Sequence, residues 1–133
     1  MEKPDYRQNS VFQQTQGWGS SAMRRQVCES IDALKLECHE IAKSKGWWDN
    51  NRRNKGELIA LMHSELSEGL EAIRNDLMSD HIVGFKGIEE ELADVMIRIF
   101  DFCAKYKLNL SGALMDKMMF NMSRPHKHGG KKF

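Results

Sequence analysis

Four segments of the chain carry apolar residues at alternating spacings of three and four, the period of an amphipathic α-helix. The first segment predicts a helix over residues 21–45. Gly46 follows it directly and suits the left-handed backbone position that often ends a helix. The apolar positions of this first helix are Val27, Ile31, Leu34, Cys38 and Ile41.

Three further helices are predicted over residues 55–78, 87–106 and 110–123. No useful length of chain alternates apolar and polar residues with period two, so no strand is predicted and the expected fold class is all-α with four helices. The stripe expected to be buried on the second helix comprises Leu58, Met62, Leu66, Leu70, Ile73 and Leu77. The corresponding stripe on the third comprises Ile88, Leu92, Val95, Ile99, Phe102 and Tyr106.

The helical pattern occupies one part of a chain of 133 residues, a length that suits a single domain. Residues 1–20 are rich in Gln, Asn, Ser and Gly, and are predicted to be a flexible lead-in. The helical domain is predicted over 21–124. A basic tail, broken by Pro125 and two glycines, follows over 125–133. Helices this apolar on one side also favour association into a homodimer or homotetramer.

Composition narrows the classes of protein to which the chain can belong. A charged fraction of 29% with a formal net charge of +1 argues against an acidic disordered chain and against a nucleic-acid binder. Three cysteines without a CxxC pair are typical of reduced thiols, which predicts a cytoplasmic location. No apolar run approaches the roughly 20 residues that span a bilayer, so no membrane partner is expected.

Two matched pairs of acids lie on the second and third predicted helices. Glu65 and Glu68 are three residues apart and share a face, and Glu91 and Asp94 repeat this spacing. Packing the two apolar stripes together would gather four carboxylates, which repel one another unless a cation neutralises them. Carboxylate oxygens without sulfur or imidazole favour a hard cation, Mg²⁺ or Mn²⁺.

An alternative interpretation treats these acids as the solvated faces of amphipathic helices, where Glu is common. The chain would then be a non-catalytic, dimerising helical interaction module. A di-iron bundle is a rival metal interpretation, but it normally needs Glu-x-x-His elements, and neither helix has one around these acids.

The stretches GELIALMHSELSEGLEAIR and GIEEELADVMIRIFDF resemble the MazG-like, all-α nucleoside triphosphate pyrophosphohydrolases. The family motif is E-x-x-E on one helix and E-x-x-D on the next, matched here by Glu65, Glu68, Glu91 and Asp94. Many members have a further Glu directly before the first motif Glu, where this chain has Ser64. The resemblance covers residues from about Trp47 to the C-terminus.

The resemblance implies a four-helix MazG-like bundle that hydrolyses a nucleoside triphosphate between its α- and β-phosphates. The four motif acids would hold Mg²⁺, and the products would be a nucleoside monophosphate and pyrophosphate, as in cleansing of the nucleotide pool. Glu65 is the candidate for the catalytic base that takes a proton from water.

Other residues are candidates for holding the substrate. Lys117, Asn121 and Arg124 lie on one face of the fourth helix, and family members similarly place Lys and Asn there to hold phosphates. From spacing alone, an exposed polar face is an equally good interpretation. Trp47 and Trp48 precede the acidic helices, and either ring could stack on a nucleobase. The alternative for the tryptophans is that at least one covers the core.

Overall fold

A computed structural model describes residues 21–50, 52–130 and 132, and four long helices follow one another along them. The helices are α1 (Ser21–Ser44), α2 (Lys55–Arg74), α3 (Gly87–Lys105) and α4 (Leu110–Met122), followed by the single turn α5 (Lys127–Gly130). The described residues contain no strand, only an isolated antiparallel bridge between Met78 and Lys86. The all-α, four-helix fold predicted from the apolar period is confirmed.

The chain divides into two compact units. The central unit is Ala33–Leu108, which contains the second half of α1 together with α2 and α3. The terminal unit combines, among the described residues, 21–32 with 109–130 and 132. The predicted lead-in over 1–20 lies outside the described residues, as do two residues of the predicted basic tail. No helix in the described part of the chain has the length and apolar character needed to cross a membrane.

Capping hydrogen bonds explain where α2 begins and where α1 ends. Oδ1 of Asn54 accepts the N–H groups of Gly56 and Glu57 at the start of α2, satisfying donors that a helix start leaves free. After α1, the Trp47 N–H bonds to the Ala42 carbonyl, and Gly46 stands between them with φ +82°. This is a Schellman motif, and it confirms the prediction that Gly46 ends the first helix.

The predicted end of the second helix at Met78 is wrong, because α2 stops at Arg74. Asp76 adopts φ +49°, and the Leu77 N–H then bonds to the Ala72 carbonyl. The amide of Asn75 also donates to the Glu71 carbonyl. These bonds satisfy the last carbonyls of the helix. The apolar period continues past Arg74 in the sequence, but this cap ends the helix.

Helices α2 and α3 pack against each other in antiparallel directions. Lys55 lies over the ring of Tyr106 at one end, and Gly87 approaches Ala72 at the other. A Cβ added at Gly69 would lie 2.9 Å from Cδ1 of Ile88 and 3.4 Å from Cβ of Glu91, so a larger residue there would require the Ile88 side chain to move. Small residues therefore set the separation of the pair.

The prediction of a buried leucine stripe on α2 is wrong for most of its members. The residues of α2 that are buried are Leu58, Glu65, Gly69 and Ala72. The large apolar side chains lie on a different side of the helix, because a close helix pair leaves no room for them along its line of contact. Those found exposed are Leu66, Leu70, Ile73 and Leu77.

Helix α3 ends in the same kind of motif as α1, but Lys107 takes the left-handed position with φ +53°. The Leu108 N–H bonds to the Cys103 carbonyl across it. We expect Lys107→Gly to raise the free energy of unfolding by about 0.5–1 kcal/mol, since it removes the clash of Cβ in this conformation at some cost in chain entropy. Urea unfolding followed by circular dichroism measures the change.

Lys107→Ala is the matched control for this variant. It removes the charged side chain but keeps Cβ and hence the strain, so it should leave the stability nearly unchanged. An equal gain in both variants would assign the effect to the lysine charge instead.

Candidate metal centre

Three of the four predicted metal ligands come together where α2 packs on α3. Glu65 lies on the side of α2 that contacts α3 and is only 6% exposed. Glu91 and Asp94 lie one turn apart on α3 and are half-buried. One carboxylate oxygen from each of the three lies within 4.8 Å of the others. The antiparallel packing thus brings Glu65 next to two acids that follow it by 26 and 29 residues in sequence.

Glu68, the fourth predicted ligand, is exposed on the next turn of α2 and lies outside this group of three. Its charge nevertheless contributes to raising the pKa of Glu91, so it belongs to the same electrostatic site. Ser64, which stands where many members of the resembled family have another Glu, donates its hydroxyl to the Leu61 carbonyl of its own helix. The assignment of Glu68 as a metal ligand stays a prediction.

Two carboxyl groups of α3, those of Glu91 and Asp94, have a raised pKa. Burial raises the pKa of Glu91, and the charges of Glu68 and Glu65 raise it further. Burial likewise raises the pKa of Asp94 together with the charges of Glu65 and Glu90, while Arg98 opposes the increase. A divalent cation would relieve this repulsion, because it favours the charged form of every carboxylate around it. The donor set therefore fits a hard cation such as Mg²⁺.

Arg98 is a member of the site that the sequence interpretation missed. Its Nε donates to Oε1 of Glu65 at 2.6 Å, and its Nη2 lies within bonding distance of the same oxygen. A buried carboxylate needs such a partner, since an unpaired one would be costly to keep ionised. The signal was available in the sequence: Arg98 follows Asp94 by four residues and Glu91 by seven, on the same side of a helix.

A pocket of about 230 Å³ opens beside Asp94 in the central unit. It brings the metal centre next to cationic and aromatic groups of the loop after α1. The residues that line it include Trp47, Lys45, Arg53, Ile41 and Arg98. Trp47 is 63% exposed, and the guanidinium of Arg53 lies 5.7 Å from its ring centroid. The exposed indole can accept a planar ligand, as predicted for base stacking.

Trp48 has a different environment from its neighbour and does not offer its ring to a ligand. It is 8% exposed, and Arg53 and Lys105 lie over its ring. Its ring also contacts Tyr106 edge-on. This burial contradicts the prediction of base stacking for Trp48 and agrees with the alternative that one of the two rings covers the core.

Asp101 holds the Trp48 ring in place. Its Oδ1 accepts the indole N–H of Trp48 at 2.8 Å and lies 2.6 Å from Nδ1 of His39 on α1. A carboxylate can only accept, so this contact selects the His39 tautomer with its proton on Nδ1. Asp101 is thus the point at which α1, α3 and the loop after α1 meet.

The predicted phosphate-binding residues lie in the terminal unit. Lys117 and Asn121 are exposed on α4, and Arg124 follows the end of that helix. Lys117 Nζ and the guanidinium of Arg124 lie 4.8 Å and 5.7 Å from the ring centroid of Phe120. Their role in binding phosphate stays a prediction.

Comparison of the chain with protein-family models, curated proteins and solved structures found no match in any of the three. The geometry of the site and the residues that form it therefore carry the functional argument.

We expect Asp101→Ala to lower the free energy of unfolding by about 1–3 kcal/mol, because it leaves the buried indole N–H of Trp48 without its acceptor. Asp101→Asn should cost less, since the amide oxygen can still accept. Urea unfolding followed by tryptophan fluorescence measures both changes. Asp49→Ala, an exposed aspartate next to Trp48 in sequence, is the control and should be nearly neutral.

Proposed function

We propose that this chain is a Mg²⁺-dependent nucleoside triphosphate pyrophosphohydrolase that releases a nucleoside monophosphate and pyrophosphate, and serves nucleotide-pool cleansing in the cytoplasm. The observation that supports it most is the meeting of Glu65, Glu91 and Asp94 on two antiparallel helices. An acidic group in which burial opposes ionisation is what a divalent cation would stabilise.

The pocket beside Asp94 supports a nucleotide as the ligand. Its volume of about 230 Å³ is below the roughly 300–1,000 Å³ of typical ligand sites, so it suits part of a nucleotide rather than the whole. Trp47 offers an indole face for the base. Lys45 and Arg53 line the same pocket and provide positive charge for phosphate oxygens.

Each side chain of the metal centre has a role in this proposed reaction. Glu65, Glu91 and Asp94 hold the cation, with Glu68 beside them. Bound there, the cation would neutralise phosphate charge and make water more acidic. Glu65 remains the candidate for the catalytic base. In that role it would take the proton of the attacking water.

The decisive experiment incubates the full chain with a panel of ribo- and deoxyribonucleoside triphosphates and Mg²⁺, and separates the products. We expect monophosphate and pyrophosphate, and a loss of at least about 100-fold in Asp94→Asn, because it removes one carboxylate ligand. Asp76→Asn is the matched control, an exposed aspartate at the end of α2, and should retain full turnover. Release of orthophosphate, or turnover that is unaffected by removal of the metal, would refute the proposal.

A second candidate function is a non-catalytic helical module that associates with copies of itself. Exposed apolar side chains favour it: Leu66, Leu70 and Ile73 on α2 and Leu77 just beyond its end are each about half exposed or more. Apolar rows of this kind usually mark an interaction surface. Self-association is also compatible with the enzyme, so we propose a homodimer or homotetramer in either case.

Leu70→Glu should convert the oligomer to a monomer, because it places a charge in the middle of the apolar row. Light scattering coupled to size exclusion gives the mass. Val83→Glu makes the same kind of change at an apolar residue that is 99% exposed in the loop before α3, and should leave the mass unchanged. An oligomer that binds no divalent cation and hydrolyses no nucleotide would favour the non-catalytic module.

A further inference from the structure

Arg98 takes up one particular oxygen of the metal centre. Both of its contacts with Glu65 are made to Oε1, through Nε at 2.6 Å and through Nη2. The carboxylate is buried between α2 and α3, whereas the guanidinium is about one-third exposed. The arginine therefore pairs with a buried oxygen while its own guanidinium stays partly exposed to solvent.

The charge of Arg98 lies where the acids converge. The helical period places Glu91, Asp94 and Arg98 on one side of α3, at positions i, i+3 and i+7. Arg98 also lines the pocket beside Asp94 and opposes the rise in the pKa of that group, so its charge is felt by a second ligand. A fixed positive charge there repels any cation that enters the centre.

The contact between Arg98 and Glu65 affects how many cations the centre can hold, because of where Glu65 lies. Centres with two metal ions hold them roughly 3.5–4 Å apart, and a shared carboxylate is the natural bridge between them. Glu65 is the most buried of the three acids and lies close to both of the others. Because Arg98 already pairs with Oε1, Glu65 has less negative charge to offer to a second cation.

We propose that Arg98 is a built-in counter-ion of the metal centre, which occupies Oε1 of Glu65 and limits the centre to one divalent cation when no nucleotide is bound. The inference rests on the cation site of the proposed function and not on the hydrolysis. Arg98 is thus a positioning residue that takes the place of a second metal ion.

The test is a titration of the full chain with Mn²⁺ alone, followed by calorimetry and by the electron paramagnetic resonance signal of free Mn²⁺. The native chain should bind one ion. Arg98→Met should bind a second ion, or bind the first about tenfold or more tightly, because a like charge leaves the site. Arg98→Lys keeps the charge and should bind one ion with nearly native affinity.

Arg74→Met is the control, the same substitution nine residues beyond Glu65 on α2, and should not change the titration. Circular dichroism checks that each variant keeps its helices. Two ions in the native chain would overturn the inference even if Arg98→Met does not fold. Weaker binding in both Arg98→Met and Arg98→Lys would also overturn it, since the arginine would then only hold Glu65 in place.

The outcomes separate this inference from the proposed function. A native chain that binds no Mn²⁺ would remove the basis of both. A chain that binds one ion equally well with and without Arg98 would refute the counter-ion and leave the pyrophosphohydrolase proposal intact.

Discussion

The close approach of α2 to α3 is the constraint on which the rest of the central unit depends. It is possible because glycine and alanine occupy the line of contact, at Gly69, Ala72 and Gly87. Glu65 lies on the same line and is therefore removed from water, which would be unfavourable without a partner. Arg98 provides that partner, and the neighbouring acids of α3 complete a group that a divalent cation would stabilise further. The face of α2 that packs against α3 is thus also the face that carries Glu65.

This arrangement explains why the apolar surface lies where it does. A helix that uses its contact face for small residues and an acid must place its large side chains elsewhere. These side chains remain exposed: Leu66, Leu70 and Ile73 on α2, and Leu77 just beyond its end. An exposed apolar row of this length is unfavourable in water, and it is the surface on which we propose self-association. The acidic centre and the exposed apolar row are therefore two consequences of one packing arrangement.

The loop after α1 is positioned by a separate buried contact. Asp101 accepts the indole N–H of Trp48, and this fixes the ring between α1 and α3. Because Trp47 is the preceding residue, fixing Trp48 leaves the Trp47 ring exposed at the pocket beside Asp94. A contact with no direct role at the carboxylates thereby determines which of the two tryptophans can meet a ligand.

Local features of the sequence were sufficient to determine the helices. The period of apolar residues located all four, and Gly46 marked the end of the first, because helix periodicity and capping depend on nearby residues. The spacing of Glu65 with Glu68 and of Glu91 with Asp94 likewise indicated an acidic face on each helix. Only the tertiary structure decided which face of α2 is buried, that Arg98 joins Glu65, and that Trp48 is covered while Trp47 is exposed. The apolar period cannot choose between a leucine row and a row of small residues, since that choice depends on how closely a partner helix approaches.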